Sequence, residues 1–137
     1  MRTAIDSNVI SAIWSGEPTG QAMVARLGDA ATQGALLVSP AVFAELHAYP
    51  GAAPEFVKRF LDSTGIVVDF QLEAAVWLES GERFARYAAR RRMSSGAGPR
   101  RILADFLIGA HALLQADCLM TLDPKVYQQD FPELLLV

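Results

Sequence analysis

Along this chain of 137 residues, short apolar runs of strand length alternate with longer stretches of helical spacing. Thr3-Ala-Ile-Asp6 is the first such run and ends on an acid. Ala35-Leu-Leu-Val38 is the second, bounded by Gly34 and Ser39-Pro40. Ile66-Val-Val68 is β-branched and reads as a third strand, Cys118 to Leu122 as a fourth, and Leu134-Leu-Leu-Val137 as a fifth. Between them the spacing predicts a brief helix over Val9 to Trp14, with Ser7 and Asn8 offering capping side chains. Gly16 to Gly20 is a turn, and Gln21 to Gln33 is a helix with Met23 and Leu27 on one face. Ser39 and Pro40 suit an N-cap and a first helical residue; Val42, Phe43 and Leu46 form the apolar face that follows, and Tyr49-Pro-Gly51 ends it. Another helix runs from about Pro54 to Leu61 and stops near Gly65. A long one covers Gln71 to Arg92, with Leu72, Ala75, Val76 and Leu78 towards the core and Gly81 as a kink or break. Met93-Ser-Ser-Gly-Ala-Gly-Pro99 reads as a flexible loop, leading to a last long helix over Ile102 to Gln115. Continuously apolar strands alternating with helices imply a parallel sheet covered on both faces, in one α/β domain spanning residues 1–137.

Composition narrows this little. Hydrophobic residues make up 52% of the chain and charged residues 20%, the balance of a folded domain. No apolar run reaches bilayer length, and the N-terminus meets Asp6 too soon for the core of a signal peptide. The single cysteine, Cys118, fits a reducing compartment, so a cytoplasmic location is expected. The formal charge of −3 argues against nucleic-acid binding through bulk charge. Its distribution changes that picture. Seven of the 12 basic residues, Arg83, Arg86, Arg90, Arg91, Arg92, Arg100 and Arg101, lie in one short stretch. Either a solvated charged helix or a basic wall beside an acidic site fits this clustering.

The acids carry the candidate chemistry. The last long helix is apolar on nearly every face, yet it carries Asp105. An ionised carboxylate buried without a partner costs far more than one hydrogen bond returns. Asp6 closes the first strand, Glu45 lies in the helix after the second, and Asp123 follows the fourth. Ligands of open parallel sheets bind outside the carboxyl ends of the strands, where all four can meet. Four converging carboxylates repel one another unless a cation sits between them. Oxygen-only ligands suit Mg²⁺ or Mn²⁺, ions that serve phosphodiester hydrolysis. Each acid alone has a plainer reading: Asp6 as a cap, Glu45 as a solvated helix residue, Asp105 as an acid favoured near a helix N-terminus, Asp123 as a turn residue. His111 reads as a packed, hydrogen-bonded core residue, His47 as a surface residue pointing away from Glu45, and Cys118 as a small core residue. Trp14 and Trp77 are core or interface aromatics. No Cys or His pair has zinc spacing, and Ser94-Ser-Gly-Ala-Gly98 lacks the Gly-Lys-Ser/Thr ending of a phosphate loop.

Taken together, Ile5-Asp-Ser-Asn8, Ser39-Pro-Ala-Val-Phe-Ala-Glu-Leu46, Ala104-Asp-Phe-Leu-Ile-Gly-Ala-His111, Met120-Thr-Leu-Asp123 and Phe131-Pro132 resemble PIN-domain ribonucleases. Within these the chain looks most like VapC-type toxins of bacterial type II toxin–antitoxin pairs. The resemblance covers essentially the whole sequence. It implies a three-layer α/β/α fold on a central, mostly parallel five-stranded sheet, and Mg²⁺- or Mn²⁺-dependent endonucleolytic cleavage of RNA. By position it makes Asp6, Glu45, Asp105 and Asp123 the acids of the site, with Asp6 and Asp105 foremost as metal ligands, Thr121 ordering the site and Asn8 orienting Asp6. It also implies neutralisation by a cognate antitoxin, and a homodimer. Ser7 stands where the family frequently has threonine and keeps the hydroxyl.

On this reading Arg83, Arg86, Arg90, Arg100 and Arg101 would hold the RNA backbone, since arginines neutralise phosphates. A PIN-like module that binds RNA or protein without cutting is the alternative. A receiver-like phosphoacceptor domain fits less well: Ser7 follows Asp6, Asp69 is the only candidate acceptor, and no lysine follows a fifth strand.

Overall fold

In the computed structural model of the protein, residues 1–98 and 100–137 are described. Pro99, the end of the expected glycine loop, lies outside them. Strands β1 (Thr3–Ile5), β2 (Leu36–Val38), β3 (Ile66–Val68) and β4 (Cys118–Met120) form one sheet in the order β3-β2-β1-β4, and every pairing is parallel. Inner β1 and its outer neighbour β4 are each buried at all three positions, as strands covered on both faces must be. At the β3 edge Val67 turns outward and is exposed.

The helices α1 (Ser7–Ser15), α2 (Pro18–Gln33), α3 (Pro40–Leu46), α4 (Pro54–Thr64), α5 (Ala74–Met93), α6 (Leu103–Gln115) and α7 (Pro124–Gln128) flank the sheet. Ser39 caps α3 as expected, its hydroxyl accepting the Val42 amide N–H at 3.2 Å. Gly65 ends α4 in the left-handed region, φ 70°. Val9, Ile10, Val42, Leu46, Phe106 and Ala110 fill the interior with the strand residues.

The structure departs from the sequence expectations in several places, among them a further helix, α7, and an α2 that begins at Pro18 inside the expected turn. The fifth strand is absent as a strand: Leu134–Val137 makes a single parallel bridge, Leu119 to Leu136, beside β4. Its backbone bonds to β4, from Leu119 N to the Leu135 carbonyl and from Val137 N to the Leu119 carbonyl, close around that one bridge. Gly81 neither kinks nor divides α5, which runs unbroken with Gly81 on its exposed face. The buried stripe of α5 is Val76, Ser80, Arg83 and Tyr87, one face of a 3.6-residue period. That phase leaves Ala75 and Leu78 exposed, and only Val76 and, in part, Leu72 reach the core. At α1 the cap is Asp6 itself; Ser7 and Asn8 are already in the first turn.

The α5–α6 pair closes the side of the fold that carries Asp105. Ser80 Oγ donates to the Val76 carbonyl at 2.7 Å and to the Phe106 carbonyl across the helix pair at 3.2 Å. Phe84, Tyr87, Phe106 and Phe131 form a chain of ring contacts behind it. Gly109 is required there, because a Cβ would come within 2.5 Å of the Phe131 ring. Gly109→Ala is therefore expected to lower stability by about 1–3 kcal/mol through overpacking, measured by denaturant unfolding. Unchanged stability would show that Phe131 can move aside.

Candidate active site

The strand order reverses direction between β1 and β4, so the crevice outside their carboxyl ends is where an open parallel sheet binds ligands. Asp6 stands directly after β1 and is 6% exposed. Its Oδ1 accepts the Ser7 amide N–H at 2.8 Å. Its Oδ2 accepts two hydroxyls, Thr121 at 2.9 Å and Tyr127 at 2.8 Å. Burial pushes the Asp6 carboxyl above the usual carboxylate range; the three donors pull it back, and the charge of Asp105 adds to the rise.

Glu45, on α3, is half-buried, and its Oε1 accepts the Ser7 hydroxyl at 3.2 Å. Burial raises its carboxyl, and so do the charges of Asp6 and Asp105. Asp105 sits in the first turn of α6, where its Oδ2 turns back to accept the Ile102 amide N–H at 3.2 Å. Burial raises it, the Ile102 amide and the Arg101 charge lower it, and Asp123 raises it again. Asp123 precedes α7 and is exposed. The fold thus brings Asp6, Glu45 and Asp105 within electrostatic reach of one another, and Asp123 within reach of Asp105.

The supporting residues are arranged more indirectly than the sequence suggests. Thr121 is the hub: it donates to Asp6 and accepts the Asp123 amide N–H at 3.1 Å and Asn8 Nδ2 at 3.3 Å. Asn8 Oδ1 accepts the Leu122 amide N–H at 3.1 Å. Asn8 therefore acts on Thr121 and the β4 exit, with no contact to Asp6 itself. Sequence reasoning missed Tyr127. Its only signal is Asp123-Pro124, a start for one more helix turn that carries Tyr127 inward. Its hydroxyl, raised far above the ordinary range by burial and by Asp6, stays a protonated donor.

His111 is a packing residue, as expected. It is 1% exposed, its Nε2 lies 3.1 Å from Asp69 Oδ2, and burial lowers its pKa. The same carboxylate oxygen accepts Gln115 Nε2 at 2.6 Å, which ties α6 to the exit of β3. Cys118 is buried beside Thr3. Arg83, expected at the RNA backbone, lies in the interior. It is 7% exposed, pairs with Glu79 at 2.7 Å and with Glu133, donates to the Asp130 carbonyl at 2.7 Å, and stands 4.6 Å from the Phe131 ring centroid. Its partners hold it inside the protein, and Arg83 in turn pulls the Glu133 carboxyl down to about 2. Arg90 is paired with Asp130. Arg86 and Arg100 are exposed, and half-buried Arg101 is the arginine whose charge reaches Asp105.

A family model described as PIN domain matches residues 3–132. The chain belongs to the PIN domain family. No curated protein matches it. Solved structures that share this fold include two VapBC complexes. One is VapBC-1 from nontypeable Haemophilus influenzae, at 20% identity and TM-score 0.67, over 100% of this chain and 97% of that one. The other is VapBC2 from Rickettsia felis bound to a DNA fragment from their promoter, at 20% identity and TM-score 0.71, over 100% and 98%. No helix among the described residues is long and apolar enough to cross a membrane.

The donor set of this PIN domain fits a hard divalent cation in kind: carboxylate oxygens only, three of them with raised proton affinity and mutual repulsion. As placed, no three such groups among the described residues close on a single point. Oδ2 of Asp105 is turned to its own helix end and Oδ2 of Asp6 to two hydroxyls. Burial and repulsion together give a direct test in EDTA. A carboxyl whose folded pKa is raised contributes stability below its unfolded pKa, and that contribution is lost as pH rises through the folded value. Asp105→Asn keeps an oxygen for the Ile102 amide and removes a charge, so it is expected to raise Tm near neutral pH by about 2–5 °C. The gain should shrink as pH falls towards the carboxylate range. A lower Tm for the variant at neutral pH would make Asp105 a structural acid.

Proposed function

We propose that this PIN domain is a divalent-metal-dependent endoribonuclease and the toxin of a toxin–antitoxin pair. The observation that carries this reading is the group of three carboxylates coupled by charge, Asp6, Glu45 and Asp105, with Asp123 acting on Asp105, in a PIN fold. Asp6 and Asp105 would hold Mg²⁺ or Mn²⁺, with Glu45 and Asp123 completing the site. The bound ion would supply charge neutralisation at a phosphodiester and a water acidified for attack. Ser7 and Thr121 set the carboxylates' directions through the hydrogen bonds at Asp6 and Glu45. Arg101, beside Asp105, and its neighbour Arg100 would meet the RNA phosphates; Arg86 and Arg90, expected to join them, line a hollow on α5 together with Asp130 and Glu133. The toxin role and an antitoxin partner are supported by the VapBC complexes that share the fold. A homodimer and a cytoplasmic setting follow from the same reading.

The test is cleavage of total RNA in Mn²⁺, Mg²⁺ and EDTA. Cleavage is expected in either metal, to vanish in EDTA, and to fall by at least ~100-fold in Asp105→Asn, the size of losing several kcal/mol of charge stabilisation. Undiminished cleavage by folded Asp105→Asn would overturn the assignment. RNA binding that is indifferent to EDTA, with no products, would favour a binding module instead. For the arginines, Arg100→Ala/Arg101→Ala should weaken RNA binding. It should also flatten the dependence of log affinity on log salt by about 1 for each phosphate left without its arginine. An unchanged slope would remove them from the interface.

A further inference from the structure

The buried hydroxyl of Tyr127 is a part of this site that the four acids do not explain. Tyr127 is 1% exposed, and its hydroxyl lies 2.8 Å from Asp6 Oδ2, the oxygen that also takes the Thr121 hydroxyl at 2.9 Å. We propose that Tyr127 is a positioning residue that, with Thr121, pins Oδ2 of Asp6 and so presents Oδ1 to a divalent cation. This inference rests on the metal-dependent reading above. A carboxylate oxygen has two lone-pair sites. Two O–H donors use both of those on Oδ2, whereas Oδ1 takes only the Ser7 amide and keeps one. The terminal torsion of Asp is broad, so its direction comes from its partners and not from its own rotamer preference. Of those partners, Ser7 and Thr121 follow β1 and β4 within two residues, whereas Tyr127 comes from α7.

Tyr127 is itself held from behind. α7 has five residues, too few to stand alone as a helix. Its exit is fixed instead: the Tyr127 carbonyl accepts the Phe131 amide N–H at 2.8 Å, and the Phe131 ring is wedged between Gly109 and the Arg83 guanidinium. Arg83 also donates to the Asp130 carbonyl and pairs with Glu133. The buried arginine is thus a clamp on the segment that carries Tyr127 to Asp6, across 121 residues of sequence.

The experiment is Mn²⁺ binding to the full chain, followed by the electron paramagnetic resonance of the free ion, for wild type, Tyr127→Phe, Thr121→Val and Ser80→Ala. Ser80→Ala removes an equally buried hydroxyl on α5 whose bonds run to the Val76 and Phe106 carbonyls and not to Asp6, and controls for general loosening. Tyr127→Phe and Thr121→Val are each expected to weaken Mn²⁺ affinity by about 10-fold, the lower end for removing a group that orients a metal ligand, with Ser80→Ala at wild-type affinity. In EDTA, Tyr127→Phe should lower Tm in the wild-type background and by less than half as much in Asp6→Ala. Wild-type Mn²⁺ affinity in a folded Tyr127→Phe, an equal loss in Ser80→Ala, or equal Tm costs in both backgrounds would each overturn the positioning role. A wild-type chain that takes up no Mn²⁺ would overturn the metal reading itself, and this role with it.

Discussion

Keeping Asp6 as a carboxylate while it is buried is the constraint on which this fold turns. The residue sits at the end of a strand with no solvent on either face, where an ionised acid without partners would be far too costly. Three donors offset that cost, and they come from three places: the first amide of α1, the Thr121 hydroxyl after β4 and the Tyr127 hydroxyl on α7. The β1–β4 pairing, Thr3 to Cys118 through Ile5 to Met120, is what brings the second beside the first. Glu45 and Asp105 then act on Asp6 or on each other by charge, and Asp123 on Asp105, each from a different element. A fold seeking only stability would not gather like charges there, so the arrangement reads as stability exchanged for a binding site.

The arginine-rich helix shows how charge can serve two ends within one element. Towards its middle, Arg83 is buried and saturated by Glu79, Glu133 and the Asp130 carbonyl. Removing its side chain would leave those groups uncompensated, which is why it belongs to the interior. Towards the carboxyl end Arg90 is only partly covered, and after the helix Arg101 comes close enough to lower the Asp105 carboxyl.

Much of this is readable in the sequence because the physics involved is local. The four strands and the caps at Ser39 and Gly65 follow from apolar runs and their punctuation, and Asp6, Glu45, Asp105 and Asp123 stand out because each lies near where an apolar run begins or ends. The phase of α5 is harder to read. Its apolar residues are sparse, and Leu78 competes with Val76 until α6 decides which face is covered. The identity of the buried cation depends on Glu133, 50 residues away, and the hydroxyl on Asp6 on a contact spanning 121. No periodicity encodes such pairs. The fifth strand fails for a plainer reason: its residues have strand propensity, but the chain after Pro132 pairs at one position only.

If these acids exist to share a divalent cation, a crystal grown with Mn²⁺ and measured at a wavelength where manganese scatters anomalously should show it directly. An anomalous peak is expected in the β1–β4 crevice at bonding distance from Asp6 Oδ1 and an Asp105 oxygen, with Oδ2 of Asp6 still hydrogen-bonded to Thr121 and Tyr127. Manganese bound elsewhere, with Asp6 and Asp105 left without a peak between them, would contradict a shared cation.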